Sequence, residues 1–506
     1  MYSFIHDLVK NSAKSFPKKD ALISKNLVID YSELWSKIQE YRLIIEKYEI
    51  FPGERVAIYL PKNTDAVIFT FSISLVGAIF VPINPTLKKR QIEFIIDDCS
   101  ASLIISSKLY KDNLSFITEN KKNIDIIFFE DLKKEREESS DYLNKKNDEI
   151  SSNSIAAILY TSGSTGPPKG VMISHKNFLD GAKTVSEYLE LTENERVLSV
   201  LPLSFDYGFN QITSSFFVGS TVILSNYLLP MGLINQIEKY KITGLALVPH
   251  IWHQISNLNN LGNSLKTLKF VTNSGGELNQ KSINKFRMCL PKLKIFLMYG
   301  FTEAFRSTFL DPSMVDRYPN SIGKAVRGVK IHIINKKGVE CKPYEIGELL
   351  HEGAFVTDGY WSERNNLEEK CAPASIDQKI TQRSVWSGDL VYKNNEGFLF
   401  FKGRKDDMIK TAGYRVSPSE IENIVCELQN VTEAVAFGVP HSLIGQGIIL
   451  LLAGNCSSLD VHQHCLNNLP NYMIPKYIQV YDCLPESPNG KIDRVKLLQE
   501  FKDYFK

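Results

Sequence analysis

The stretch that decides the fold is Tyr160-Thr-Ser-Gly-Ser-Thr-Gly-Pro-Pro-Lys-Gly-Val171, which combines small hydroxyl residues, glycines and one lysine. Residues 155–160 are apolar, so we expect a short buried strand there. Glycines after a strand let backbone N–H groups approach an anion, hydroxyls donate further hydrogen bonds, and Lys169 supplies a positive charge. The stretch therefore predicts a phosphate-binding loop. It differs from the nucleotide loop in which Lys-Ser/Thr opens a helix, because two prolines precede the lysine and a glycine follows it.

Short apolar strands alternate with a helical pattern before this loop. Strands are predicted at 55–60, 78–82 and 101–106, with a helix within 61–77. This alternation is typical of α/β layers around a largely parallel sheet. The charged stretch at 131–153 is interpreted as a solvated connection.

The pattern changes in the last third of the chain. Residues 353–397 are rich in turns and short strands, and a shift comes near Gly403. A helix at about 417–429 followed by a strand at 431–438 indicates a separate small α+β domain.

Composition limits the class of protein. The chain has 506 residues, 43% hydrophobic, 23% charged, with a net charge of +2. The near-neutral charge argues against a nucleic-acid partner. The longest apolar run, 66–82, is shorter than the roughly 20 residues that span a bilayer, and the N-terminus lacks a signal-peptide pattern, so we expect no integral membrane segment. Eight scattered cysteines without C-x-x-C spacing favour reduced thiols and a cytoplasmic protein.

Further signatures follow the loop at long intervals. They are Leu-Pro-Leu-Ser-Phe-Asp-Tyr-Gly at 201–208, Asn-Ser-Gly-Gly-Glu-Leu at 273–278, Tyr-Gly-Phe-Thr-Glu-Ala at 299–304, Trp-Ser-Gly-Asp-Leu at 386–390, Gly-Arg-Lys-Asp-Asp-Met-Ile-Lys-Thr-Ala-Gly-Tyr-Arg at 403–415 and Pro-Glu-Ser-Pro-Asn-Gly-Lys-Ile-Asp-Arg at 485–494. In this order and over nearly the whole chain, they resemble the adenylate-forming superfamily, which includes acyl-CoA synthetases, adenylation domains of peptide synthetases and firefly luciferase.

The resemblance implies a fold and a reaction. The fold is α/β, with a large N-terminal domain of layered sheets and a small barrel-like region over 1–405, and a small mobile α+β C-terminal domain over 406–506. In the first half-reaction a carboxylate attacks the α-phosphorus of ATP, with Mg²⁺, giving acyl-AMP and pyrophosphate. In the second, the pantetheine thiol of coenzyme A or of a carrier protein displaces AMP.

The resemblance also assigns catalytic roles. Lys491 would bridge the carboxylate and the α-phosphate, since a lysine places a point charge on a flexible stem. Thr302 would bind the α-phosphate, and Glu303, with Thr165, would hold Mg²⁺. Asp406 would be the hinge of a domain rotation that brings Gly413 to the thiol tunnel.

The nucleotide would be held by residues from several motifs. Tyr299 would stack on adenine, Asp389 would accept hydrogen bonds from both ribose hydroxyls, and Arg404 would hold ribose or phosphate. The full ATP-binding set implied by the resemblance is Thr161, Ser162, Gly163, Ser164, Thr165, Gly166, Lys169, Gly275, Gly276, Glu277, Tyr299, Gly300, Asp389 and Arg404.

Asp206 is the main clue to the acid substrate. Many fatty and aryl acyl-CoA ligases carry a histidine or aromatic residue at this place, whereas aspartate pairs with the substrate α-ammonium in amino-acid-activating members. A buried carboxylate needs such a partner. The alternative is that Asp206 caps a helix beginning at about Tyr207.

The rest of the acid pocket is predicted to be polar, which disfavours a long fatty acid. The positions that line it by family register, besides Asp206, are Tyr207, Asn210, Asn273, Gly275, Met298, Arg306 and Ser307. Arg306 would meet a second carboxylate on the substrate or pair with a neighbouring acidic residue; the sequence leaves both open.

These features predict a stand-alone bacterial ligase that adenylates a small polar or amino acid and loads it on a carrier protein in trans. The alternative is an acyl-CoA synthetase acting on a short, medium or aryl acid. A binding module built on the same scaffold is disfavoured because Lys491, Glu303 and Asp389 are all present.

Overall fold

The computed structural model describes most of the chain. The described residues are 2–120, 124–132, 150–161, 168–226, 229–256, 258, 261–276, 278, 280–361, 375–376, 379–380, 383–405, 408–482, 484–485 and 494–506. Most of the predicted connection at 131–153 therefore lies outside the described residues.

The helices of the described chain are, in order, α1 His6–Ser15, α2 Tyr31–Lys47, α3 Thr64–Val76, α4 Lys89–Asp98, α5 Ser115–Asn120, α6 His175–Tyr188, α7 Asp206–Val218, α8 Pro230–Lys239, α9 Pro249–Ser256, α10 Leu261–Ser264, α11 Gln280–Cys289, α12 Pro418–Val425, α13 Ser458–Asn468 and α14 Arg494–Phe501. Short 3₁₀ segments cover Lys108–Leu114, Pro312–Met314 and Asn471–Met473.

The strands up to the end of the parallel region are β1 Asp20–Ser24, β2 Leu27–Asp30, β3 Arg55–Tyr59, β4 Ile79–Pro82, β5 Leu103–Ser106, β6 Asp125–Phe128, β7 Ile155–Thr161, β8 Lys169–Ser174, β9 Arg196–Ser199, β10 Thr221–Leu224, β11 Gly244–Leu247, β12 Phe270–Asn273 and β13 Lys294–Phe301. The later strands are β14 Ala304–Leu310, β15 Ser321–Ala325, β16 Val329–Ile334, β17 Gly347–Gly353, β18 Ser375–Ile376, β19 Lys379–Ile380, β20 Ser384–Lys393, β21 Leu399–Arg404, β22 Ile409–Thr411, β23 Tyr414–Val416, β24 Val431–His441, β25 Gly445–Gly454 and β26 Tyr477–Tyr481.

One sheet has the strand order β6-β5-β3-β4-β7-β8 and is parallel except for β8. The predicted strands before the loop are confirmed as β3, β4, β5 and β7. The apolar run 66–82 divides in two, because the Asn63 side chain caps the start of α3 and Gly77, at φ +88°, ends it before β4.

A larger sheet runs β16-β17-β20-β21-β15-β14-β13-β12-β11-β9-β10-β1-β2. Strands β1, β10, β9, β11, β12 and β13 are parallel, and the strands from β14 to β16 along this path pair antiparallel. Strand β20, from the turn-rich stretch predicted at 353–397, belongs to this antiparallel part, whereas β18 and β19 form a separate two-stranded sheet. The barrel-like region remains a prediction.

Helices α3 and α7 share one hydrophobic core, and their aromatic side chains hold them together. The rings of Phe71 and Phe216 lie 5.5 Å apart, those of Phe71 and Phe209 lie 6.3 Å apart, and all three side chains are buried. Offset and tilted aromatic pairs of this kind stabilise a core beyond their buried area. The start of α7, which carries Asp206, is therefore fixed by packing.

The C-terminal region is a small α+β domain, as predicted. Its sheet has the order β23-β22-β25-β24, with β26 beside β25. Helices α12 and α13 pack on one face and α14 on the other. Helix α12 ends at Val425, earlier than the predicted 429, because turns precede β24, and β24 continues past 438 to His441. The domain contacts the N-terminal region, where Gln91 Nε2 donates to the carbonyl of Asn468 at 2.9 Å.

No helix within the described ranges is long and apolar enough to cross a membrane.

Candidate active site

The carboxyl ends of the parallel strands β9, β11, β12 and β13 open at one edge of the large sheet, which is where ligands bind in open α/β sheets. A cavity of about 790 Å³ lies at this edge and is closed on its far side by residues 412–415 of the C-terminal domain. The predicted residues that line it are Thr161, Asp206, Tyr207, Asn273, Gly275, Gly276, Met298, Tyr299, Gly300, Thr302, Arg306 and Gly413.

The predicted phosphate loop joins two antiparallel strands. Thr161 at the end of β7 pairs with Lys169 at the start of β8, so the loop leads into a strand and not into a helix. Ser162, Gly163, Ser164, Thr165 and Gly166 lie outside the described residues, as do Glu277, Asp406 and Lys491. The roles predicted for these eight residues remain predictions.

Lys169 and Glu303 are linked through Tyr360. The Lys169 ammonium lies 4.8 Å from the centre of the Tyr360 ring, and the Tyr360 hydroxyl donates to Glu303 Oε1. Glu303 is buried. The structure therefore brings the predicted phosphate lysine and the predicted metal carboxylate to one corner of the site.

Thr302 and Glu303 form the turn between β13 and β14. Gly300 just before the turn has no room for a side chain, because an added Cβ would lie 2.5 Å from the carbonyl oxygen of Phe305. This close approach fixes the turn and presents Thr302 to the cavity.

A polar cluster surrounds Asp389, whose side chain is fully buried. Its Oδ2 accepts from the Tyr299 hydroxyl at 2.6 Å and its Oδ1 from Arg404 Nη1 at 2.5 Å. Arg415 Nη2, from the C-terminal domain, lies 3.8 Å from Oδ2. Burial, followed by the Asp389 charge, raises the pKa of Tyr299 well above its usual value, so Tyr299 stays a donor to this carboxylate.

The C-terminal loop enters the cavity at Gly413, which has φ +84°. A Cβ here would lie 3.1 Å from Val248 Cγ1, so both the backbone and the available space favour glycine. Next to it, the rings of Tyr414 and Tyr472 stack 3.8 Å apart with 6° between their planes. This arrangement places the predicted thiol-tunnel residue at the active site.

Asp206 is the first residue of α7, so the helix begins one residue earlier than predicted. The N-cap is Phe205, which makes no side-chain capping bond. Burial raises the pKa of the Asp206 carboxyl, with Arg306 and the Tyr207 backbone opposing that shift. Asp206 is therefore the first helical residue and not the N-cap, but its carboxyl still accepts hydrogen bonds from the backbone N–H groups of Tyr207 and of Asp206 itself.

Arg306 is 2% exposed and its neighbours are neutral. Nη1 donates to the carbonyl of Phe305 at 2.6 Å and Nη2 to Asn210 Oδ1 at 3.0 Å, and the guanidinium also bonds the Tyr188 hydroxyl. Its buried Nε has no hydrogen-bond partner in the described part of the chain. No carboxylate of the described residues lies within 4.0 Å of this guanidinium. The predicted pairing with a neighbouring acidic residue is therefore not seen in the described part of the chain.

Two predicted pocket residues lie behind the wall of the cavity. Asn210, one turn along α7 from Asp206, points its amide oxygen at Arg306. Ser307 follows Arg306 on β14 and so faces the other side of the sheet, where it bonds His351 Nδ1 at 2.9 Å and the carbonyl of Ala304 at 3.2 Å. Both act on the cavity through other residues.

Comparison with known proteins identifies the family. The model of the AMP-binding enzyme family matches residues 9–361, and that of the AMP-binding enzyme C-terminal domain matches 420–491. The chain belongs to the AMP-binding enzyme family. This confirms the predicted resemblance to the adenylate-forming superfamily.

Relatives of this AMP-binding enzyme include multidomain and stand-alone proteins. Gramicidin S synthase 2 of Aneurinibacillus migulanus is 26% identical over 505 residues, covering 97% of this chain but 11% of that protein. The L-proline–[L-prolyl-carrier protein] ligase of Pseudomonas fluorescens is 26% identical over 517 residues. This match covers 98% of this chain and 99% of that protein.

A solved structure supports the fold. The o-succinylbenzoate CoA synthetase of Bacillus subtilis, bound with a product analogue, superposes with a TM-score of 0.85 at 24% identity, covering 97% of this chain and 98% of that one. The predicted fold class, with a large N-terminal and a small C-terminal domain, is thereby confirmed.

Several residues of this AMP-binding enzyme's site were not predicted from the sequence. Tyr360 and Tyr188 lie outside every motif, and no local signal marks them. Arg415 is the last residue of the motif at 403–415, and its position in that motif is the only signal in the sequence that could have identified it. Lys62 lines the cavity fully buried and donates to the carbonyls of Ser199 at 2.8 Å and Leu201 at 3.0 Å; burial lowers its pKa well below the usual value. It holds the segment that leads to Asp206.

Proposed function

We propose that this chain activates a small polar acid, specifically an amino acid, as its acyl-adenylate and transfers the acyl group to a pantetheine thiol. A carboxylate oxygen of the acid forms a bond to the α-phosphorus of ATP as the bond to the bridging oxygen breaks and pyrophosphate leaves. The thiol sulfur then bonds to the carbonyl carbon, AMP leaves with the oxygen, and the thiol proton passes to solvent.

The observation that carries the amino-acid assignment is the environment of Asp206. Its carboxylate is buried at the head of α7 and lines the cavity. No basic side-chain nitrogen of the described residues lies within 4.0 Å of it. A buried carboxylate without a cation is costly, and a substrate ammonium would supply that cation.

The nucleotide side supports adenylation. Tyr299, Gly275 and Gly276 line the same cavity, so adenine would fit beside the ring and against the glycine backbone. The carboxylate of Asp389, which contacts the cavity-lining residues Tyr299 and Arg415, would accept hydrogen bonds from the ribose hydroxyls. Arg404 would help hold the ribose or the phosphate.

The metal corner also fits. Glu303, oriented by Tyr360, offers the hard carboxylate oxygen that Mg²⁺ prefers, close to the strands that flank the phosphate loop. Bound Mg²⁺ would neutralise charge on the ATP phosphates; Thr302 would hold the α-phosphate and Lys169 the departing pyrophosphate.

We further propose that the second half-reaction takes place in the domain arrangement in which Gly413 lies at the cavity. The first half-reaction would use a different domain arrangement, reached by rotation of domain 406–506 relative to domain 1–405 about Asp406. Lys491 would then replace the 412–415 loop. The acceptor is the pantetheine thiol, carried by coenzyme A or by a carrier protein. The six described cysteines are free, which suits a reaction in the cytoplasm.

An ATP–pyrophosphate exchange screen over amino acids, short acids, aryl acids and fatty acids tests the proposal. We expect exchange with amino acids. Exchange only with short, medium-chain or aryl monocarboxylates would replace it with an ordinary acyl-CoA synthetase, and nucleotide binding without exchange would indicate a non-catalytic scaffold. Product analysis with coenzyme A and with a phosphopantetheinylated carrier then separates the two acceptors.

A further inference from the structure

Two buried groups of opposite charge line one cavity without neutralising each other. Asp206 is 6% exposed and Arg306 is 2% exposed. Arg306 lowers the pKa of Asp206 through space, but their charged atoms are more than 4.0 Å apart. A chain that needed only a structural ion pair would bring such groups into contact, because two separated buried charges each carry a desolvation cost.

The surroundings of Arg306 leave its charge uncompensated. Its acceptors are an amide oxygen, a backbone carbonyl and the Tyr188 hydroxyl, all of them neutral, and the rings of Tyr207 and Phe305 lie 5.3 Å and 5.4 Å from the guanidinium carbon. Among the described residues, Nε has no hydrogen-bond partner. A guanidinium carries five N–H donors in a planar fork that fits a carboxylate bidentately, and Nε is one edge of that fork.

The opposite need appears in the lining of the same cavity at Asn273. Its side-chain nitrogen donates to the carbonyl of Gly276 at 2.9 Å, whereas its buried Oδ1 has no hydrogen-bond partner among the described residues. Asn273 and Asp206 therefore both offer acceptors to the cavity, and Arg306 offers a donor. The three residues together would complement a ligand that carries an ammonium and an anion besides the carboxylate that is activated.

We propose that the substrate is a small amino dicarboxylic acid, whose ammonium binds Asp206 and Asn273 and whose second carboxylate binds Arg306. This inference rests on the proposed function and narrows its substrate class. The guanidinium supplies a charge-assisted, planar contact that a neutral amide or a methyl group on the substrate cannot reproduce. The carboxylate left for activation is the one that reaches Thr302 at the turn between β13 and β14.

The test uses substrate pairs that differ only in the anion: aspartate with asparagine, and glutamate with glutamine. Exchange is measured with the wild-type chain, Arg306→Gln and Arg306→Lys. We expect the wild type to favour the acidic member at least about tenfold in kcat/KM, since charge-assisted hydrogen bonds exceed neutral ones by at least this factor. Arg306→Gln should remove that preference by raising KM for the acidic member, and Arg306→Lys should retain part of it.

Arg287 provides a matched control. Like Arg306 it donates to neutral acceptors, the carbonyls of Leu293 at 2.8 Å and Pro312 at 3.1 Å, but its Nε lies 3.6 Å from Asp316 Oδ1 and it is not part of the cavity lining. Arg287→Gln should leave the preference unchanged. Melting curves of all variants show whether each is folded.

Four outcomes overturn the inference. Preference for neutral amino acids, or an acidic preference that survives in folded Arg306→Gln, refutes the role of Arg306 while leaving amino-acid activation intact. Exchange only with acids that lack an ammonium, or with none of the acids, refutes the proposed function as well.

Discussion

The two sides of the cavity treat buried carboxylates in opposite ways. On the nucleotide side, Asp389 contacts Tyr299, Arg404 and Arg415, so the chain itself compensates its charge. On the acid side, Asp206 lies beyond 4.0 Å from the nearest described cation, although Arg306 lines the same wall. In our proposal the nucleotide is bound by a preorganised cluster of protein side chains, whereas the counter-charges for Asp206 and Arg306 come from the acid substrate.

The largest effect should come from the nucleotide side. Lys491→Ala is expected to lower acyl-adenylate formation about 10²–10³-fold for every acid, because in the proposed mechanism Lys491 supplies a positive charge where two anions meet. Transfer from preformed acyl-adenylate should be spared. Rapid-quench measurement of each half-reaction checks this, with Lys502→Ala as the exposed control on the same domain. Equal loss of both half-reactions would contradict the proposed rotation.

Breaking the compensated cluster should cost stability. Asp389→Ala leaves Arg404 and Arg415 without their carboxylate in a largely buried site and is expected to lower the free energy of unfolding by about 3–5 kcal/mol. Denaturant unfolding measures this, with the isosteric Asp389→Asn losing less because it still accepts from Tyr299. Remaining exchange activity should fall by one common factor for all acids. A change in the ranking of acids would show that the two sides are not independent.

Removing the carboxylate charge on the acid side should have a different effect on stability and activity. Asp206→Asn is expected to lower kcat/KM for amino acids about 10–100-fold, since a charge-assisted contact to the ammonium is lost. The free energy of unfolding should stay the same or rise, because a buried uncompensated charge disappears. Exchange kinetics with amino acids and their deaminated analogues, together with denaturant unfolding, test both parts. A stability loss like that of Asp389→Ala would place Asp206 in the scaffold.

The contrast between the two sides also marks what the sequence can predict. Strands β3, β4, β5 and β7 and the loop after Thr161 follow from short-range patterns, because apolar runs and glycines determine local backbone geometry. Family register predicts Asp206, Tyr299 and Gly413 at one site, and all three line one cavity.

Contacts between distant segments could not be predicted. The bond from Tyr360 to Glu303 joins residues 57 positions apart. Whether Arg306 has a carboxylate neighbour, and whether Asn210 faces the cavity or Arg306, depends on how α7 packs against β14. The periodicity of the sequence does not predict that packing.

The smallest effect should come from a third carboxylate, Glu420, which is intermediate between the two. It lines the cavity from α12, where its carboxyl forms a hydrogen bond with the Gln91 side chain and lies near Arg90 and Tyr472. Its buried Oε2 has no hydrogen-bond partner among the described residues. Burial raises its pKa to about 7 from 4.5, so the folded chain binds a proton that the unfolded chain releases. This contribution to stability is complete below pH 4.5 and is lost as pH rises through 7.

Between pH 6 and pH 8 the free energy of unfolding should fall by about 1 kcal/mol as Glu420 loses its proton. Glu420→Gln should remove that part of the pH dependence because an amide does not titrate. The wild type and the variant are compared by denaturant unfolding at both pH values, and Glu427→Gln, an exposed glutamate of the same domain that pairs with Arg90, serves as the control. Identical pH dependence in wild type and Glu420→Gln would mean that the carboxylate is already ionised and compensated when the C-terminal domain is docked. Glu420 would then be a carboxylate whose charge the chain itself compensates, like Asp389. Of these three carboxylates, only Asp206 would depend on a ligand for its counter-charge.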